Sequence, residues 1–141
     1  GAFITGRLEQ ARENENDYPD PVGRAMAMIQ RTVARDAAAH VRLDDLAAAA
    51  GVSGEHLCRL FRHSLDLAPM EALRLARLDL AMQLLGRTDL PMEAIADRCG
   101  FTSPYHFSRA FKQTFGNPPT AWRKRLAEGF APPASKLARR G

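Results

Sequence analysis

Residues 43–69, LDDLAAAAGVSGEHLCRLFRHSLDLAP, and residues 95–123, IADRCGFTSPYHFSRAFKQTFGNPPTAWR, are two copies of one pattern about fifty residues apart. Leu46-Ala47 matches Ile95-Ala96, Ala50-Gly51-Val52 matches Cys99-Gly100-Phe101, and Leu57, Arg59 and Phe61 match Phe107, Arg109 and Phe111. The offset is 49 before the second helix of the pattern and 50 within it, so the second copy carries one extra residue near Ser103-Pro104. A chain of 141 residues that repeats itself in this way must fold as two similar units sharing some element between them.

Each copy predicts a helix-turn-helix. Ala47 and Ala96 are small enough to let two helices approach closely, and Gly51 and Gly100 supply the positive φ of a tight turn. Ser53 in the first copy, and Thr102 or Ser103 in the second, are good N-caps for the helix that follows. In that second helix Phe107, Ala110 and Phe111 recur at helical spacing and define a buried face, leaving Tyr105, His106, Arg109 and Lys112 opposite. A short helix that is apolar on one side and rich in hydrogen-bond donors on the other suits the major groove of a duplex. Gly116 ends this helix as a C′ glycine; the first copy has Asp66 there, and a less tidy helix end is expected.

Residues 69–86, PMEALRLARLDLAMQLLG, contain no internal breaker, open on Pro69 and close on Gly86, with Leu73, Ala76 or Leu80, and Leu84 among the apolar positions. They predict a helix about 27 Å long that holds the two units apart as a rod. Arg74 and Arg77 on it are expected to pair with Glu71, Asp79 or nearby acids, with a functional role as the other reading. An amphipathic support helix is expected from Val22 to about Ala39, and a last helix from Pro119 to about Glu128, with Trp122 as a core anchor and Arg123, Lys124 and Arg125 outside. Residues 1–20 read as a linker because ENENDYPDP is charged and Pro-bearing, and residues 129–141 read as a disordered basic tail.

Charge points to the partner class. Residues 1–20 hold two Arg against five carboxylates, a balance of 2 − 5 = −3, so the rest carries +7 of the overall +4. Apart from Lys112, Lys124 and Lys136, every one of the 20 basic residues is Arg, whose planar fork fits phosphates and guanine edges. No apolar run approaches the roughly 18 residues a membrane span needs. Cys58 and Cys99 have no paired spacing, and His40, His56, His63 and His106 are scattered, so no metal site or cofactor is expected. Cys99 reads as a small core residue, whereas oxidation of Cys58 would place a polar group in the interface if that residue faces DNA. No nucleophile with a base at credible spacing, phosphate-cradling loop or carboxylate pair is visible, so the chain is not expected to be an enzyme.

The repeat, the connecting helix and the signature GFTSPYHFSRAFKQTFGNPPTAWR together resemble the C-terminal DNA-binding domain of AraC/XylS-type transcription regulators, over about residues 22–126. Ala96, Gly100, Phe101, Phe107, Arg109, Phe111, Lys112, Gly116, Pro119 and Arg123 carry the likeness in order. The resemblance implies an all-α, seven-helix domain with two helix-turn-helix units (about 43–66 and 91–116) on a central linker helix. It implies sequence-specific binding to double-stranded promoter DNA, each unit reading one of two adjacent major grooves, and bacterial transcription regulation in the direction of activation through RNA polymerase. The positions matching the family's base contacts are Gly54, Glu55, Cys58 and Arg59 in the first unit, and Pro104, Tyr105, His106 and Arg109 in the second. Ser53, Arg62, Thr102, Ser103 and Lys112 fall toward the DNA backbone. A small-molecule effector is implied only through a separate N-terminal domain, of which residues 1–20 would be the connecting linker, and the setting implied is the cytoplasm, at the nucleoid. The competing reading is a helical protein-interaction module that turns the same basic faces to an acidic partner.

Overall fold

Seven α-helices succeed one another in the computed structural model, which describes residues 19–137: α1 Asp20–Asp36, α2 Leu43–Ala50, α3 Gly54–Leu65, α4 Pro69–Arg87, α5 Met92–Arg98, α6 Pro104–Phe115 and α7 Pro119–Ala127. The double helix-turn-helix architecture expected from the repeat is present as α2–α3 and α5–α6. α1 begins at Asp20 and ends at Asp36, three residues short of the expected end. The linker expected at 1–20 lies almost wholly outside the described residues.

The turns follow the sequence logic closely. Gly51 and Gly100 have φ of 76° and 83°, and in both units the residue after the glycine donates its amide back into the first helix: Val52 to the Ala47 carbonyl and Phe101 to the Ala96 carbonyl. These are the six-to-one bonds of a Schellman end. Ser53 and Ser103 then open α3 and α6, their hydroxyl oxygens accepting from the His56 and His106 amides at 3.1 and 3.2 Å. The extra residue of the second copy lies between Gly100 and Ser103, so it lengthens the turn and leaves both second helices at 12 residues. Leu57 and Phe61 in α3, and Phe107 and Phe111 in α6, are fully buried in one continuous core.

The first unit's helix end departs from expectation. Asp66 adopts φ 55° and ψ 35°, and its amide donates to the Arg62 carbonyl, as the Gly116 amide does to Lys112. The end is therefore as regular as its counterpart, at the cost of a left-handed non-glycine residue. Asp66→Gly should raise stability by about 0.5–1 kcal/mol, read as a higher midpoint in urea; a lower midpoint would mean that the Asp66 carboxylate contributes more than its backbone strain costs.

α4 is more than a spacer. It packs against each of the other six helices, and it is buried along two sides through Ala72, Leu73, Leu75, Leu78, Ala81, Met82 and Leu85. Ala76, Leu80 and Leu84 are half-buried and pack against the same core. The connecting helix is thus both the link between the two units and part of their shared core, with Glu71, Arg74, Gln83 and Arg87 left exposed on its remaining face.

Three arginines join the helices by closing helix ends, which corrects two of the expectations. Arg77 forms no ion pair with Glu71 or Asp79; its Nε and Nη2 donate to the Ala37 and Ala39 carbonyls at 2.7 and 2.8 Å, just past the end of α1. Burial holds its guanidinium pKa below the usual arginine value, opposed by Cys99 and Asp36. Arg123 is not outside: it donates to the carbonyls of Leu85 (3.3 Å), Leu90 (2.6 Å) and Thr88 (3.2 Å). Arg24 closes α2 by donating from Nη2 to Ala50 at 2.8 Å. The last carbonyls of a helix have no partner inside it, and a planar cationic fork supplies several donors at once. Trp122 anchors α7 as expected, its indole N–H reaching the Phe115 carbonyl at 3.2 Å, with Arg125 stacked 5.1 Å above the ring.

The tail also differs from the disorder its composition predicts. Ser135 is 2% exposed and donates from its amide and hydroxyl to the Asp79 carboxylate at 2.9 and 2.5 Å, and Leu137, 4% exposed, joins the core. One apolar side chain and one bidentate bond offset the ordering of a short Pro-bearing segment. Residues 138–141 lie outside the described residues.

Candidate functional site

α3 and α6 are matched supports for two rows of polar side chains. On α3, Glu55, His56, Arg59, Arg62 and His63 are exposed, and on α6 Pro104, Tyr105, His106, Arg109, Lys112 and Gln113. The buried residues of each helix fall between them at helical spacing, which fixes the direction of the exposed face. Tyr105, 66% exposed, is the most exposed large apolar side chain in this region and stands edge-on to His106 at 5.6 Å between ring centroids. A large aromatic ring held out in water on a donor-rich face suits contact with an apolar group such as a thymine methyl.

Arg59 and Arg109 occupy equivalent positions in the two helices. Arg59 makes one long contact, 3.5 Å from Nη2 to His56 Nδ1, and no carboxylate closes on either guanidinium among the described residues. Both forks are therefore open to an external acceptor. Arg62 and Lys112 lie one turn further on and are likewise exposed.

Other expected contact residues have structural duties. Gly54 is half-buried, and a Cβ there would sit 3.2 Å from Leu43 Cδ2, so its missing side chain lets α2 pack against the start of α3. Glu55 lies in the first turn of α3, where a carboxylate is favoured by the helix dipole. Ser53 and Ser103 use an acceptor lone pair in capping, which leaves each hydroxyl proton to donate outward. Thr102 is exposed beside Ser103. Cys58 is half-buried with a free thiol. Cys99 is buried, and burial pushes its thiol up to about 11, against the opposing pull of Arg98 and Arg77, so it stays protonated near neutral pH.

Gln113 was missed by sequence reasoning although helical spacing could have found it, because it lies four residues from Arg109 and seven from His106 on the same side of α6. Among the described residues no group of three or more His, Cys, Asp or Glu side chains is placed to hold a metal ion, and no helix is long and apolar enough to cross a membrane.

Comparison with known proteins gives one consistent picture. A family model described as a helix-turn-helix domain matches residues 46–125. The chain is 42% identical over 80 residues to the HTH-type transcriptional regulator GlxA of Rhizobium meliloti, an alignment that covers 57% of this chain and 25% of that protein. In structure it is similar to a transcriptional regulator of the AraC-type DNA-binding domain-containing proteins from Chromobacterium violaceum, with a TM-score of 0.71 and 30% identity over 78% of this chain and 95% of the other. It is also similar to the DNA-binding domain of AdpA, a global transcriptional factor solved in complex with a target DNA, with a TM-score of 0.67 and 28% identity over 78% of this chain and 96% of the other. The chain spans about a quarter of the length of curated relatives such as GlxA.

Proposed function

The chain belongs to the family of AraC-type helix-turn-helix domains, and from that premise we propose that it binds double-stranded promoter DNA sequence-specifically and regulates transcription. The observation that carries this reading is the pairing of Arg59 and Arg109: equivalent, exposed and without a carboxylate partner among the described residues, on two helices of equal length that open on the same serine cap. An arginine on a groove-filling helix bonds guanine O6 and N7 together, at about 1–3 kcal/mol of discrimination. α3 and α6 each enter one of two successive major grooves, so the site is asymmetric and spans about two helical turns, roughly 20 base pairs.

Within each helix the roles divide by height along the face. Glu55, Cys58 and Arg59, and Pro104, Tyr105, His106 and Arg109, turn to base edges; Ser53, Arg62, Thr102, Ser103 and Lys112 turn to phosphates. Gly54 contributes by close approach of its backbone. Activation through RNA polymerase, action in the cytoplasm at the nucleoid, and control by a small molecule sensed elsewhere in a longer protein complete the reading, the last supported by the greater length of the relatives. A module of this kind works by binding alone, and no catalytic role is assigned to it.

Arg59→Ala should relax base preference in one half of the site by roughly 5- to 150-fold and Arg109→Ala in the other half, measured on duplexes carrying single substitutions. Arg62→Ala or Lys112→Ala should weaken all duplexes alike and lower the slope of log affinity against log salt by about one. Equal weakening of every duplex by Arg59→Ala and Arg109→Ala would contradict base readout and favour an acidic protein partner for the same faces.

A further inference from the structure

Arg74 sits on α4 with its side chain exposed, and both acids expected to pair with it are engaged elsewhere. Glu71 accepts from the Ala68 amide at the start of α4, at 3.4 Å, and Asp79 is held by Ser135. Arg74 makes no hydrogen bond or ion pair among the described residues. Instead it lines a cleft of about 360 Å³ beside α6, together with Phe101, His106, Arg109 and Gln113. Arg74 and Gln113 are shared with a second cleft, of about 250 Å³, which Lys136 also lines. The two clefts adjoin along α6, and among the described residues they are lined by three permanent cations, Arg74, Arg109 and Lys136, and by one carboxylate, Glu71.

Lys136 is there because the tail is fastened. Ser135 grips Asp79 through amide and hydroxyl and Leu137 is buried, so the exposed Lys136 between them stands at the cleft between α4 and α6. Three cations against the single carboxylate of Glu71 leave this lining with a net positive charge that an external anion would neutralise. A phosphodiester is the anion that Arg109 would carry with it when its fork enters a groove beside these clefts.

We propose that Arg74 and Lys136 form a binding site for backbone phosphate on the DNA flanking the groove read by α6, so that the central helix and the C-terminal strap clamp the duplex between the two units. This rests on the DNA-binding reading above, and it adds contacts outside both helix-turn-helix units. Neutralising one phosphate contributes about 0.9 to the slope of log affinity against log salt, which corresponds to about fivefold in affinity at 0.15 M salt.

The test titrates the whole chain, and its R74Q, R74K, K136Q and R74Q/K136Q variants, against one preferred and one unrelated 30-base-pair duplex across a salt series. R74Q and K136Q should each weaken both duplexes about fivefold and lower the slope by about 0.9, the pair by about 1.8, with the preference between duplexes and the thermal midpoint unchanged. R74K should restore most of the slope. Wild-type slope and affinity in R74Q and K136Q would overturn the proposal, as would a loss that R74K fails to restore or one confined to the preferred duplex. If the unaltered chain binds neither duplex at any salt, the DNA reading itself fails, and that outcome is distinct from the failure of the clamp.

Discussion

Gly100→Ala should destabilise the protein by about 2–4 kcal/mol and lower its thermal midpoint by roughly 10 °C, about twice the effect of the same change at Gly116. Both glycines have positive φ, 83° and 85°, so both substitutions carry the left-handed penalty of about 1–2 kcal/mol. Only Gly100 adds a collision. A Cβ there would lie 3.0 Å from the Ala37 carbonyl oxygen, 3.2 Å from Ala38 Cα and 3.2 Å from Arg77 Nε, while at Gly116 nothing lies within 4 Å. Two of those three neighbours are backbone, and the third is the side chain that closes the end of α1, so relief at one point breaks a bond at another. Gly51→Ala, with only Arg24 Nη2 at 3.7 Å, should resemble Gly116→Ala. Equal costs at Gly100 and Gly116 in chemical denaturation would show that the second turn and the end of α1 can separate freely, and that the two units are not braced there.

Arg123→Met should cost about 2–3 kcal/mol, because it leaves the carbonyls of Leu85, Thr88 and Leu90 without the donors that three nitrogens of one guanidinium supply. Methionine keeps the apolar stem, so the loss isolates the charged bonds from the packing. Arg123→Lys should recover only part of the stability, since an ammonium is a point donor and cannot span three carbonyls as a planar fork does. The affected region is the exit of α4 into α5, so amide hydrogen exchange in residues 84–96 should speed up while α1–α3 keep their protection. Unchanged exchange at the α4 exit would mean that water replaces the arginine without loss.

The repeat made the topology legible because the small residues at the two turns have steric reasons that do not depend on context. Ala47, Gly51, Ala96 and Gly100 can be read in isolation, and so can the serine caps and the Phe107, Ala110 and Phe111 face. Arg24, Arg77 and Arg123 could not be read in that way. An arginine is equally at home on a phosphate, a carboxylate or a helix-terminal carbonyl, and only the fold decides which lies within reach. The arginine content that pointed to nucleic acid is therefore partly structural. The regular helix end at Asp66 is not legible locally, because the preference for glycine at a left-handed position is a local one, while Leu65 and Leu67 on either side are buried in the core and hold the turn. The tail was misjudged because composition describes an average, and one serine and one leucine were enough to fasten it.

Of the site, the equivalence of Arg59 and Arg109 was visible from the alignment of the two copies. Arg74 carried a functional role only as a second reading and Lys136 none, since the two line one cleft from α4 and from a segment beyond α7, and no spacing within one helix relates them. Gly54 shows the converse: its position marks it as a contact, and its surroundings show that it is also needed for packing.

Selection of bound duplexes from a random 30-base-pair pool, repeated at two salt concentrations, tests the central claim most directly. Two unlike conserved boxes about one helical turn apart, persisting at the higher salt, are the predicted result for α3 and α6 reading adjacent major grooves. A pool that shows no enrichment, with binding that vanishes at the higher salt, would contradict it and leave the two basic faces to an acidic partner protein.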